Sequence, residues 1–226
     1  MKSNDVPTYK CIEVVRPPHI DGKLNDAAWR QAKPIRPFML HDGSRPASRR
    51  TEAKLCWDQR CLYIAFKCED PDIWGALMKR DDPRHTQEVV EVFLDPDSDL
   101  TRYYEINVSP TNVVFDAHIT NSAGGAPDRG DGPKWDCVGL RTAVEVEGTL
   151  KDRSDRDVRW TVEIAIPFES LDEARNLPPK PGDVWRANLY RIDRTPTPEY
   201  SCWSPTLKDP PRFHVPSRFG RLIFEE

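Results

Sequence analysis

Three consecutive alternating runs between residues 90 and 120 constrain the fold more tightly than any other feature of the chain. They read Val90-Glu91-Val92-Phe93-Leu94-Asp95, Tyr103-Tyr104-Glu105-Ile106-Asn107-Val108 and Val113-Val114-Phe115-Asp116-Ala117-His118-Ile119. A strand sends successive side chains to opposite faces, so a period of two describes a sheet with one apolar and one polar side. The pattern predicts that Val90, Val92 and Leu94 share the core face with Tyr104, Ile106 and Val108, and with Val113, Phe115, Ala117 and Ile119. The reverse face then carries Glu91, Glu105, Asn107, Asp116 and His118. These short groups hold their hydrogen-bond directions, as a recognition surface requires. An ordinary solvated sheet face produces the same alternation, and both readings stand at this point.

Further alternating or apolar runs predict strands at 11–15, 53–57, 61–68, 139–146, 159–166, 185–192 and 221–224. A short helix is expected over 26–32, capped by Asn25 or Asp26, and a single helical turn over 168–171 after Pro167. Twenty-two prolines fall between the runs, which suits short strands and stiff connections. About ten strands with few helices imply an all-β, antiparallel β-sandwich. Nothing marks an internal domain boundary, so residues 11–226 read as one domain behind a flexible stretch at 1–10. Two long loops, at 120–136 and 193–218, are expected to be functional or mobile.

Charged residues make up 31% of the chain, yet the net charge is only −4, and no basic stripe is present. Nucleic acid is therefore not an expected partner. No apolar run approaches the roughly 20 residues of a membrane span, so no membrane partner is expected either. Residues 1–9 are polar and show no signal peptide, which suits a cytoplasmic protein or one whose leader has been removed. A monomer is the favoured state. Six cysteines lie at scattered positions and read as buried thiols, although Cys56 and Cys61 flank a turn that a disulfide could close.

The segment Trp185-Arg186-Ala187-Asn188-Leu189-Tyr190-Arg191 repeats the logic of the three runs. If it neighbours them, Arg186, Asn188 and Tyr190 extend the polar wall. Carboxylates and amides hydrogen-bond sugar hydroxyls while aromatic faces pack on ring C–H groups, so this mixture points to a sugar. A plain ion pair between Arg186 and a glutamate is the alternative. Glu91, Glu105 and Asp116 could instead supply the two carboxyl groups, about 5–10 Å apart, of a glycoside hydrolase. For metals, Asp95, Asp97 and Asp99 alternate carboxylates in one turn, and Glu69-Asp70-Pro71-Asp72 does similarly. The spacing is not that of an EF-hand loop, and a calcium ion there would be structural. No nucleophile triad, phosphate loop or dinucleotide turn is present.

Several segments together resemble the family 9 carbohydrate-binding modules and their stand-alone relatives, within the DOMON-like superfamily of sandwiches. They are Ile20-Asp21-Gly22-Lys23-Leu24-Asn25-Asp26-Ala27-Ala28-Trp29, the Trp57-Asp58 hairpin with Leu62-Tyr63-Ile64-Ala65-Phe66, and the run from Glu88 to Asp97 with Tyr103 to Val108. Trp160 to Pro167, Ser201-Cys202-Trp203-Ser204-Pro205-Thr206 and Phe213-His214-Val215-Pro216-Ser217-Arg218-Phe219-Gly220 complete the set. The resemblance implies an immunoglobulin-like or jelly-roll sandwich that binds sugars, often at a chain end, without catalysis. It further implies structural calcium in some members and a sugar ring clamped between two tryptophans. Glu91 and Asn107 match contacting residues of the family, and Tyr190 stands where a contacting glutamine occurs. The clamp positions hold His85 and the Phe213–His214 pair instead of tryptophan, and Glu105 replaces a contacting arginine.

The function expected is therefore non-catalytic carbohydrate binding. The ligand residues are His85, Glu91, Glu105, Asn107, His118, Arg186, Asn188, Tyr190 and Phe213, and no cofactor is required beyond possible structural calcium. The alternatives are a glycan hydrolase or an accessory to one, a haem-binding relative, and an interaction domain that has lost its ligand. Trp74 and Trp135, both in loops, are candidates for exposed stacking, while Trp29, Trp57, Phe66, Phe93, Phe115, Trp160, Trp185 and Phe224 are expected in the core.

Overall fold

The computed structural model describes residues 5–75, 88–120, 135–172, 174–194 and 197–226. Strands β1 (Thr8–Glu13), β2 (Met39–Leu40), β3 (Thr51–Trp57), β4 (Cys61–Glu69), β5 (Val89–Asp95) and β6 (Arg102–Val108) lead into β7 (Val114–Thr120) and β8 (Arg141–Glu147). Strands β9 (Arg159–Pro167), β10 (Val184–Asp193), β11 (Glu199–Cys202) and β12 (Gly220–Glu225) complete the set. One helix, α1 (Ala27–Gln31), lies between β1 and β2. The helical turn expected after Pro167 is present at Phe168–Ser170. No helix among the described residues is long and apolar enough to cross a membrane.

The strands run in the order β7-β6-β5-β10-β12-β1-β3-β4-β9-β8, with β11 and β2 attached beside β10. The order curls on itself into two facing arms. One main core cluster collects Val90, Val92, Leu94, Ile106 and Leu189 from the first arm with Leu55, Leu62, Ile64, Val162 and Ile164 from the second. Neighbours pair antiparallel except at β1, which runs parallel to both β12 and β3 and so joins the arms. β1 begins at Thr8, so residues 8–10, read as part of a flexible N-terminus, are paired with Arg221, Leu222 and Ile223.

Each arm also has a covered outer face. On the second arm, α1 and the segment before it bury Trp29 and Ala28 against Tyr63, Ala65 and Ala165. Beneath them Glu163 of β9 is fully buried. Its carboxylate accepts from the Trp29 indole N–H (2.6 Å) and from the backbone N–H groups of Asp21 (2.8 Å) and Gly22 (2.6 Å). Gly22 sits at φ +88° with its Cα against the Glu145 backbone, where a Cβ would stand 2.8 Å from the amide nitrogen. Only glycine meets both demands. On the first arm, residues 203–219 cross the outer face and bring Phe213 and Phe219 onto Phe93, Tyr103 and Tyr190.

All six cysteines are buried and free, Cys56 and Cys61 included. The expected aromatic core is present except for Phe115, which is half-buried on an outer face. The two short strands β2 and β11 fall in stretches read as loop.

Candidate functional site

The outer face of the first arm carries the candidate site, and the pairing registers place its residues. One row across β10, β5, β6 and β7 reads Tyr190, Glu91, Asn107, Phe115. The next reads Asn188, Phe93, Glu105, Ala117. Glu91, Asn107 and Glu105 therefore form a polar triangle framed by the rings of Tyr190, Phe93 and Phe115. All three polar residues are recessed, at 5%, 2% and 3% exposure. Asn107 Nδ2 donates to Glu105 Oε1 at 2.8 Å. Asn107 Oδ1 is buried and has no hydrogen-bond partner. A buried acceptor left unmatched costs on the order of 1–3 kcal/mol, so an arrangement that keeps one in place signals an absent donor.

His214 stands at the rim. Its Nδ1 lies 2.7 Å from the Tyr103 hydroxyl, its Nε2 lies 4.0 Å from Glu105 Oε2, and its ring is tilted against Phe93 with centroids 5.1 Å apart. His214 and Tyr103 were not among the expected ligand residues. The aromatic pair Phe213–His214 in the sequence was the signal, and the structure turns Phe213 inward and His214 outward.

Residues 20–226 match the model of the "carbohydrate family 9 binding domain-like" family. The chain belongs to that family. Its members are carbohydrate-binding domains without catalysis, and that is the function membership carries here. Among relatives similar to this family 9 chain, an "Extracellular protein" of Arthroderma benhamiae is 25% identical over 77% of this chain and 78% of its own length. An endo-1,4-beta-xylanase A of Thermotoga maritima is 29% identical over 91% of this chain, which spans only 17% of that enzyme. A solved family 9 carbohydrate binding module from Caldicellulosiruptor kristjanssonii, in complex with cellotriose, superposes with a TM-score of 0.61 at 19% identity, covering 96% of this chain and 93% of its own.

Several expected ligand residues of this family 9 domain serve other purposes. Asn188 is pinned to the covering segment, its Oδ1 accepting from the Ser204 N–H (3.0 Å) and its Nδ2 donating to the Ser204 carbonyl (2.9 Å). Tyr190 is fully buried, stacked on Phe213 at 4.2 Å, with its hydroxyl donating to the Phe213 carbonyl (2.9 Å). Burial pushes its phenol well above the ordinary range. Tyr190, Phe213 and Asn188 thus hold the cover down. Arg186 lies beside Asp95 on the same face, half-exposed, its Nη2 donating to the Ser217 carbonyl at 3.3 Å. His85 falls outside the described residues.

His118 and Asp116 face the other way. β7 pairs Tyr104 with His118 and Ile106 with Asp116, so both residues share the core face of β6. His118 stacks on Tyr104 at 4.9 Å, and Asp116 accepts from the Cys137 N–H at 2.7 Å. β7 is the edge strand and its two faces are both partly apolar. Phe115, Ala117 and Ile119 join the outer side, so the alternation was right and its polarity was reversed. The hydrolase alternative loses its Asp116 for the same reason.

The carboxylates of Asp95, Asp97 and Asp99 do not gather into one cluster. Asp95 accepts from the backbone N–H groups of Leu100 (2.9 Å) and Asp99 (3.2 Å), and burial lifts its carboxyl to about 6. Asp97 holds Arg175, and Asp99 closes a turn with Thr101 and Arg102. Among the described residues, the carboxylates that do approach one another are Asp70, Glu88 and Asp193, all buried. They do not fit calcium. Arg191, equally buried, already sits on Asp70 (2.8 Å) and Asp193 (2.9 Å), and its positive charge would confront a cation at the same oxygens. Burial, with Asp70 and Asp193 alongside, pushes the Glu88 carboxyl up to about 9. The cluster of Asp70, Glu88 and Asp193 therefore holds a proton at neutral pH.

The two loop tryptophans cap the body. Trp135 packs on Tyr104 and its indole N–H donates to the Ser170 carbonyl at 3.1 Å. Trp74 lies under the Arg153 guanidinium, 5.3 Å from its ring centre.

Proposed function

We propose that this family 9 domain binds the end of a neutral, glucan-type saccharide at Glu91, Asn107 and Glu105. The observation that carries the reading is the buried, unmatched carbonyl of Asn107 beside two carboxylates. Two acceptors and an amide on a stiff sheet match vicinal sugar hydroxyls, which both donate and accept. The half-buried Phe115 ring, beside Asn107, offers apolar surface for C–H packing. His214, linked to Tyr103 and near Glu105, forms the rim where a ring would lie. The cellotriose held by the Caldicellulosiruptor module supports a glucose-based ligand.

Titration calorimetry with glucose, cellobiose and cellotriose tests this. Asn107→Ala and Glu91→Gln should each weaken binding by about tenfold or more, the equivalent of roughly 1.4 kcal/mol. Binding that survives both substitutions unchanged would sink the assignment of the site.

A further inference from the structure

A second cleft lies on the opposite arm, over the outer face of β3 and β4. It comprises a hollow of about 550 Å³ and one of about 270 Å³ that share Glu52 and Lys67 in their walls. The larger is edged by Arg36 and Arg50, the smaller by Lys54 and Arg159. Much of this charge is already matched. Arg36 lies 3.3 Å from Glu52, Arg159 pairs with Glu147, and Lys23 shares Asp21 at 3.6 Å. Arg50, Lys54 and Lys67 have no carboxylate partner among the described residues. Lys54 donates to the Trp29 carbonyl at 2.7 Å, which fixes the ammonium without cancelling its charge. Against these three stands the unpaired Glu69 at one end.

In a chain of net charge −4, a cleft with surplus positive charge selects an anionic ligand. Its shape argues for rings rather than peptide. β4 is paired along its whole length with β3 and β9, and at the far edge of β3 the Ala53 backbone is bridged to Ile35 and that of Leu55 is held by the Tyr9 hydroxyl, so no continuous strand edge is open for an extended peptide to join. What the cleft offers is side chains standing on a sheet face, with Pro37, Ala47, Ala65 and Leu24 supplying apolar surface between the cations.

We propose that this cleft is a second carbohydrate site, independent of the Asn107 site, that takes an oligosaccharide bearing uronic acid carboxylates, with Lys67 and Arg50 receiving the carboxylates. Calorimetry on the whole chain at roughly 20 mM salt, where surface charges are least screened, provides the test. The probes are tetragalacturonate, cellotriose and a polyglutamate of equal charge. Lys67 and Arg50 are exposed, so the double variant Lys67→Glu, Arg50→Glu keeps its core, which a thermal melt checks.

The variant should weaken tetragalacturonate by about tenfold or more and leave cellotriose unchanged, and Asn107→Ala should do the reverse. Tetragalacturonate that fails to bind, or binds the double variant as well as the parent, overturns the proposal. So does polyglutamate bound as tightly as tetragalacturonate, which would make the cleft a general polyanion surface. A parent that binds tetragalacturonate but not cellotriose would count against the Asn107 site and support this one.

Discussion

The two covered outer faces of the sandwich solve one problem in opposite ways. Each arm buries glutamate under a segment that crosses it. On the second arm the three donors offered to Glu163 come from the chain itself, through Trp29, Asp21 and Gly22, and the carboxylate is saturated. On the first arm the cover is fastened by Tyr190, Phe213 and Asn188, which leaves the neighbouring Asn107 carbonyl unmatched. The same device, an acid on a sheet under a strap, serves as a structural rivet on one side and, on the other, lies at the proposed receptor. What separates them is where the strap's N–H groups go, to the carboxylate of Glu163 on one side and, through Ser204, to Asn188 on the other.

Breaking the rivet should have the largest effect. Trp29→Ala removes a buried ring and the donor to Glu163, and should cost about 3–5 kcal/mol in denaturant unfolding while leaving the affinity of surviving folded protein for cellotriose intact. Equal loss of affinity would mean that the two faces are not separate.

The receptor side should show the converse. Asn107→Ala should abolish most sugar affinity yet shift stability by less than about 1 kcal/mol, because the group it removes was only half satisfied. A destabilisation as large as that of Trp29→Ala would assign Asn107 to the framework instead.

A subtler effect comes from the end of the core, where Arg191 meets three acids. Glu88 has an ordinary value of 4.5 and a folded value of about 9, so the folded state holds a proton that the unfolded state releases. That contribution is fully present below pH 4.5, declines as pH rises, and is lost above about 9. Glu88→Gln keeps a neutral side chain at every pH. The melting temperature of the variant relative to the parent should therefore rise from pH 5 to pH 9, and a constant difference would show that Glu88 is ionised in the fold. The smallest effect is expected at His118, on the core side of β7. His118→Ala should leave sugar affinity within about twofold of the parent, the opposite of what its reading as a ligand residue requires.

Much of this was legible from period alone. β3, β4, β5, β6, β9 and β10 each bury one side in a continuous core, so their alternation is unambiguous, and it placed Glu91, Glu105 and Asn107 together correctly. β7 was misread because an edge strand packs apolar groups on both sides, which leaves alternation without a direction. β2 and β11 were missed because a strand of two or four residues within proline-rich sequence has no period to detect. The cover over the first arm was invisible for a related reason. Residues 203–219 hold no strand and only one helical turn, at Pro216–Arg218, so nothing in their spacing told that Tyr190 and Asn188 would be spent on holding them. The parallel pairing of β1 depends on contacts between opposite ends of the sequence, which no local pattern encodes.

That pairing has a mechanical consequence. β1 and β12 run side by side in the same direction, matched over five residues from Thr8 with Arg221 to Ile12 with Glu225. The chain enters β1 at one end of this ladder and leaves β12 at the other. A tether pulling on both would load the rungs together, in shear, rather than peel them one after another.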